Sequence, residues 1–278
     1  MSSVPSKVRE RVASGIKKYQ PILASAKSRD VNESDTVTIV KDMLADIFGF
    51  DKYSEITSEY AIRGTFVDLA IKISGQIQML IEVKAIGLEL KDNFIKQAVD
   101  YGVNQGVDWV VLTNGIYWQV YKVYFNKPVD KEMIFEINIT DINAKDINDN
   151  DKLLLITKEG LEKSLLGEYD AQRQALSRYF IGQMMLTDSV LEVVRRELRR
   201  VSPDVKIDIE QIREVMVQEI VKREIIEGDK ADEAKRKINR SANRLLRKTS
   251  KEQDEENGES AKTTKVEEAP IPKPDVTT

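Results

Sequence analysis

Between Glu59 and Phe125 the helical spacing of the preceding residues gives way to short β-branched and aromatic runs separated by glycine. Runs of that kind are too short and too evenly apolar to form amphipathic helices, so they must pair as strands. FVDLAIKI (66–73), Ser74-Gly75-Gln76 and IQMLIEVKA (77–85) have the composition of a β-hairpin with a short glycine-containing loop. Ahead of them, residues 33–48 space Val37, Val40, Met43, Leu44, Ile47 and Phe48 by threes and fours and close at Gly49, which predicts an amphipathic helix capped by Asn32. Behind them come a helix of roughly 90–105 and a strand pair, DWVVLTNG and IYWQVYKVYF. The local order α-β-β-β-α-β-β predicts a mixed α/β layer architecture.

One further strand, MIFEINI (133–139), precedes an Asn/Asp-rich loop, after which the chain turns helical through about residue 248. The pattern divides the chain into five parts. A basic N-terminal helical segment (1–32) leads into the α/β domain (33–140) and a linker with a connecting helix (141–170). A basic helical region (171–250) and a tail (251–278) follow; the tail carries three of the seven prolines and almost no large apolar side chain, a composition that predicts disorder.

Charge follows the same division. Residues 33–170 hold 14 basic and 24 acidic side chains, a net of −10, whereas residues 1–32 and 171–250 each carry +5. Basic flanks around an acidic centre predict an anionic partner for the flanks and a cation for the centre. Residues 235–248 hold Lys235, Arg236, Lys237, Arg240, Arg244, Arg247 and Lys248 without an acidic residue, a candidate for phosphate contacts that read no sequence. With no histidine and no cysteine, the chain cannot use a thiol nucleophile, a Ser-His-Asp triad or a zinc finger. Apolar runs such as LLLI (153–156) fall far short of the ~20 residues that span a bilayer, and the N-terminal residues lack the apolar region of a secretory signal, so the expectation is a cytoplasmic protein without a membrane span.

Side chains alternate faces along a strand, so Glu82 and Lys84 share one face while Ile81 and Val83 take the other. A three-residue loop at Ser74-Gly75-Gln76 pairs residues whose numbers sum to 150, placing Asp68 across from Glu82; a two-residue loop shifts the pairing by one. Cross-strand neighbours have Cβ atoms about 5 Å apart, close enough for two carboxylates to share a divalent ion. Two such oxygens and a main-chain carbonyl suit Mg²⁺, and a lysine alongside can orient a water for phosphodiester hydrolysis.

FVDLAI, eight residues and LIEVKA together resemble the D…(D/E)xK core of the PD-(D/E)xK nuclease superfamily. The helix carrying Glu33 and the later Gln97-x-x-x-Tyr101 complete the αβββαβ order of that fold, restriction-endonuclease-like with a mixed central sheet. Val67 stands where the name-giving proline is found. The run from Glu33 to Phe125, ending in TNGIYWQVYKV, resembles more narrowly the N-terminal nuclease domain of type I restriction enzyme R subunits.

The resemblance implies a Mg²⁺-dependent DNA endonuclease, with Mn²⁺ able to substitute. Asp68, Glu82 and the Val83 carbonyl would bind the metal, Lys84 would assist the attacking water, and Glu33 would be an auxiliary metal or water ligand. Gln97 and Tyr101 would support the lysine or contact the DNA backbone. It implies further subunits of a restriction or defence system as partners, and one site per chain makes a homodimer attractive for cutting both strands. The chain holds no G-x-x-x-x-G-K-[ST] loop, so the expectation is a stand-alone module that uses no ATP. The competing expectation is a catalytically silent module of the same fold that serves DNA binding or subunit assembly.

Overall fold

The computed structural model describes residues 4–62, 65–125, 129–147 and 151–243; Arg244, Arg247, Lys248 and the tail at 251–278 lie outside the described residues. Two helices lead the chain, α1 (Ser6–Ser28) and α2 (Glu33–Asp46). As the sequence predicts, Asn32 caps α2, its Oδ1 accepting the Asp35 N–H at 2.9 Å. Gly49, at φ 84°, takes the left-handed conformation just beyond the helix.

Six strands then form one sheet in chain order: β1 (Ile56–Ile62), β2 (Thr65–Ile73), β3 (Gln76–Val83), β4 (Trp109–Thr113), β5 (Tyr117–Tyr124) and β6 (Asp130–Asn138). Every neighbouring pair is antiparallel except β3–β4, which is parallel. A parallel pair needs a crossover, and α3 (Lys96–Gln105) supplies it. This helix starts later than its apolar spacing suggests, because residues 92–95 form a turn. The mixed α/β architecture is therefore the one predicted.

Both faces of the sheet are covered, so the central strands read as near-continuous apolar runs. Leu80, Val110 and Leu112 pack under α3 with Ile95, Ala98 and Tyr101. Met79, Ile81, Val83 and Val111 face the opposite layer, which holds α1, α2 and, further along, α4 (Asp151–Leu155), α5 (Lys158–Glu162) and α6 (Leu165–Ala175).

The basic N-terminal helix is part of this core. Val8, Val12, Gly15, Ile16, Tyr19, Leu23 and Ala26 are buried along one face of α1. Its Arg11 is committed inward: Nε donates to the Ile47 carbonyl at 3.1 Å, Nη2 to the Phe48 carbonyl at 3.2 Å, and both Nη atoms reach the Glu159 carboxylate at 2.7 Å. A bidentate guanidinium thus satisfies carbonyls at the end of α2 and ties that end to α5.

By contact density the chain divides at residues 172/173 into two compact units. The second contains α7 (Arg178–Met185), α8 (Asp188–Val201), α9 (Ile209–Val215), a π turn at Met216–Ile220 and α10 (Arg223–Ile226), and residues 229–243 are also helical. Its small core gathers Leu191, Ile212 and Met216.

A Cβ on Gly15 would lie 2.7 Å from Ile47 Cγ1 and 3.2 Å from its Cα, so α1 and α2 touch through a site that only glycine fits. Gly15→Ala, which adds about 0.5–1 kcal/mol at an open helical position, is expected here to cost about 1–2 kcal/mol net, measured by chemical denaturation.

Candidate active site

The β2–β3 hairpin builds the site. Its loop has two residues, Ser74 and Gly75, both at positive φ (51° and 80°), the pattern of a type I′ turn. Next to the turn Ile73 faces Gln76 and Lys72 faces Ile77, the shifted pairing. The ladder then slips between Ile71 and Lys72, so that Ile71 faces Met79 and Leu69 faces Ile81. Gln78 is the extra residue of this bulge. The three-residue loop is therefore absent, but the bulge restores the register that loop would give as far as Leu69–Ile81, and Asp68 and Glu82 are the next residues along the two strands.

The side chains converge from three elements. Asp68 Oδ2 accepts the Val83 N–H at 2.7 Å, fastening β2 to the end of β3. Glu82 Oε1 accepts from Lys84 Nζ at 2.8 Å, and Glu33 Oε2, in the first turn of α2, lies 3.5 Å from the same ammonium. The Phe94 ring centroid stands 6.0 Å from Lys84 Nζ. Glu33 thus meets Lys84, not the Asp68–Glu82 pair directly.

Electrostatics follow from this crowding. Glu82 is only 7% exposed, and burial pushes its carboxyl pKa up to about 7, with the Asp68 and Glu33 charges adding and the Lys84 hydrogen bond opposing. Burial works against the Lys84 ammonium as well, yet Glu82, Glu33 and Asp68 outweigh it and raise the lysine above its usual range. Three carboxylates thus face one ammonium. Among the described residues no three acidic or other ligating side chains form a ready-made cation cage. A divalent ion here would rest on the Asp68–Glu82 pair, the Val83 carbonyl and water, a donor set that suits the hydrated coordination of Mg²⁺.

A cavity of about 550 Å³ opens beside these residues, lined by Glu82, Lys84, Asn93, Phe94, Lys96, Gln97 and Asp100. Gln97 stands on its wall. Tyr101 does not: it is 2% exposed, in the apolar layer beneath α3, so the DNA contact expected of it is not available. Residues four apart on a helix differ by about 40° in direction, enough to separate a cleft residue from a core residue. Asn93, Phe94 and Lys96 escape sequence reasoning because the turn at 92–95 displaces the start of α3.

In the second unit Lys235, Arg236 and Arg240 are exposed, whereas Lys237 bonds Gln174 Oε1 at 2.9 Å and pairs with Glu233 at 2.9 Å. Among the described residues no helix is long and apolar enough to cross a membrane.

Glu82 takes up its proton at higher pH in the folded chain than its ordinary value of 4.5, so the stability linked to that proton is complete below about 4.5 and lost as pH rises through about 7. Glu82→Gln is therefore expected to raise Tm relative to wild type at pH 8.5 and to leave it nearly unchanged at pH 4.5, in metal-free calorimetry.

No curated protein and no solved structure matches this chain. Residues 42–137, from the middle of α2 to the end of β6, match the family of the type I restriction enzyme R protein N terminus, and this segment carries the hairpin, Lys84 and the α3 cleft wall.

Proposed function

We propose that the α/β domain is a divalent-metal-dependent endonuclease of the PD-(D/E)xK type, hydrolysing DNA phosphodiester bonds in a restriction or defence system. What supports this reading is the restored register, which brings Asp68 and Glu82 to the next positions beyond the Leu69–Ile81 pair, with Lys84 bonded to Glu82 beside an open cavity. The surplus of carboxylate over ammonium is of the sign and size that Mg²⁺ or Mn²⁺ neutralises. When bound, such an ion supplies Lewis-acid stabilisation of the charge that builds on the phosphate and a more acidic water as nucleophile.

The chain's own residues have separate tasks. Asp68 and Glu82 supply anionic oxygens, and the Asp68 bond to the Val83 amide ties β2 to the end of β3. Lys84, kept protonated by its acidic neighbours, donates to the attacking water or to a non-bridging phosphate oxygen. Glu33 orients that ammonium from α2. Gln97 on the cleft wall donates to the DNA backbone, and Lys96 beside it offers a positive charge to the flanking phosphate. Lys235, Arg236 and Arg240 contribute phosphate contacts without base readout. The family match supports DNA as substrate and other restriction subunits as partners.

Purified protein is expected to nick supercoiled DNA with Mg²⁺ or Mn²⁺ and not with EDTA, and Lys84→Ala or Asp68→Ala should lower the rate by roughly 100-fold or more. Duplex binding without cleavage in any metal would instead identify a binding or assembly module. Replacing Lys235, Arg236 and Arg240 together by Ala is expected to reduce the slope of log K against log[salt] by roughly 1 per side chain removed, in fluorescence anisotropy titrations with duplex DNA. An unchanged slope assigns the phosphate contacts elsewhere.

A further inference from the structure

Beyond Lys84 the chain leaves the sheet and must turn away without disturbing the ammonium just placed. Residues 84–88 are held there by three elements. The Lys84 N–H donates to the Thr113 carbonyl at the end of β4 at 2.8 Å. The Ile86 N–H donates to Thr36 Oγ1 on α2 at 3.1 Å. Asn114 Nδ2 donates to the carbonyls of Ile86, at 3.4 Å, and Leu88, at 2.9 Å. Ile86 is therefore gripped at its N–H by α2 and at its C=O by the β4–β5 turn.

Both gripping side chains are buried, Thr36 at 0% and Asn114 at 3% exposure, where a polar group is costly unless paired. Both are committed on their other atoms too. Thr36 Oγ1 donates to the Asn32 carbonyl at 2.8 Å, and Asn114 Oδ1 accepts the N–H groups of Ile116 and Tyr117 at 3.1 and 2.9 Å. A side chain on Gly87 would run into the Asp30 carboxylate, so the segment also lies tight against the α1–α2 connection. Thr36 sits about one turn after Glu33 on α2, and Glu33 is the group that α2 presents to Lys84. The Thr36–Ile86 bond therefore fixes the spacing between α2 and the end of β3.

We propose that Thr36 and Asn114 are positioning residues that clamp the main chain after Lys84 and hold its ammonium between Glu82 and Glu33. The catalytic half of this proposal rests on the endonuclease reading; the clamp itself is a property of the chain. Neither residue touches the cleft, so both act through main-chain placement.

Three variants of the full chain separate the clamp from general stability. Thr36→Val keeps the shape and removes the acceptor, Thr36→Ser keeps the acceptor, and Asn114→Asp keeps the acceptor of the β4–β5 turn while replacing the donor to Ile86 and Leu88. Amide hydrogen exchange and Mg²⁺-dependent cleavage kinetics are measured on each. Thr36→Val and Asn114→Asp are expected to speed exchange at residues 84–88 roughly tenfold with β2 and β5 still protected, and to lower kcat roughly tenfold with KM for DNA within about twofold. Thr36→Ser should restore both quantities. Unchanged exchange at 84–88, or a kcat equal to that of a cleaving wild type, overturns the proposal. If the wild type cuts no DNA, the endonuclease reading fails and the exchange data alone decide the clamp. If Asn114→Asp does not fold, the Thr36 pair decides it.

Discussion

Gln78 has no partner in the β2–β3 ladder, and the grouping of Asp68, Glu82 and Lys84 depends on that extra residue. Burial fixes which side chains of β3 point into which layer: Ile81 and Val83 belong under α1 and α2. With the register that the two-residue turn starts, Asp68 would face Ile81 and be driven toward the apolar layer. A one-residue slip moves a strand's whole side-chain set to the other face. The bulge makes that slip once, before the site, and Asp68 comes to share a face with Glu82 and Lys84.

Such a face is electrostatically unfinished. Two carboxylates on adjoining strands and a third from α2 surround one ammonium, and partial burial removes the water that would dilute their repulsion. The domain tolerates this because the surrounding backbone is over-determined. The Arg11 guanidinium closes the end of α2, Asn32 closes its start, and the buried amide of Asn114 closes the turn after β4. A site that carries unfavourable charge in its resting state needs a scaffold with stability to spare, and the two apolar layers of the sheet provide it.

Much of this was legible in the sequence because it depended on local spacing. The cap at Asn32, the helix after it, the order of strands and the shared face of Glu82 and Lys84 all follow from periods of 3.6 and 2. What was not legible depended on compensation or on distant packing. No local signal in IQMLIEVKA announces a bulge, since Gln78 is an ordinary strand residue there. The turn before α3 hid Asn93 and Phe94, and the burial of Tyr101 depends on how α3 lies on β3 and β4. The N-terminal helix reads as a basic flank because its six cations dominate its composition, while the apolar face that makes it core is spread at single positions along its length. Thr36 and Asn114 carry no motif of their own; their roles arise from hydrogen bonds spanning 50 and 26–28 residues.

The sheet also has a seam. Strands β1–β3 and β4–β6 are two meanders of neighbouring hairpins, and the parallel β3–β4 pair, which joins Leu80 to Val110, unites them across the whole α3 crossover. Each meander forms from contacts close in sequence, whereas the seam requires a long loop to close first. Asp68, Glu82 and Lys84 lie on one side of it, and the Thr113 and Asn114 groups that hold the following residues lie on the other. The complete arrangement can therefore exist only after the two halves have docked, so a chain caught with its meanders formed but unjoined has most of its strands and not the support of the candidate site.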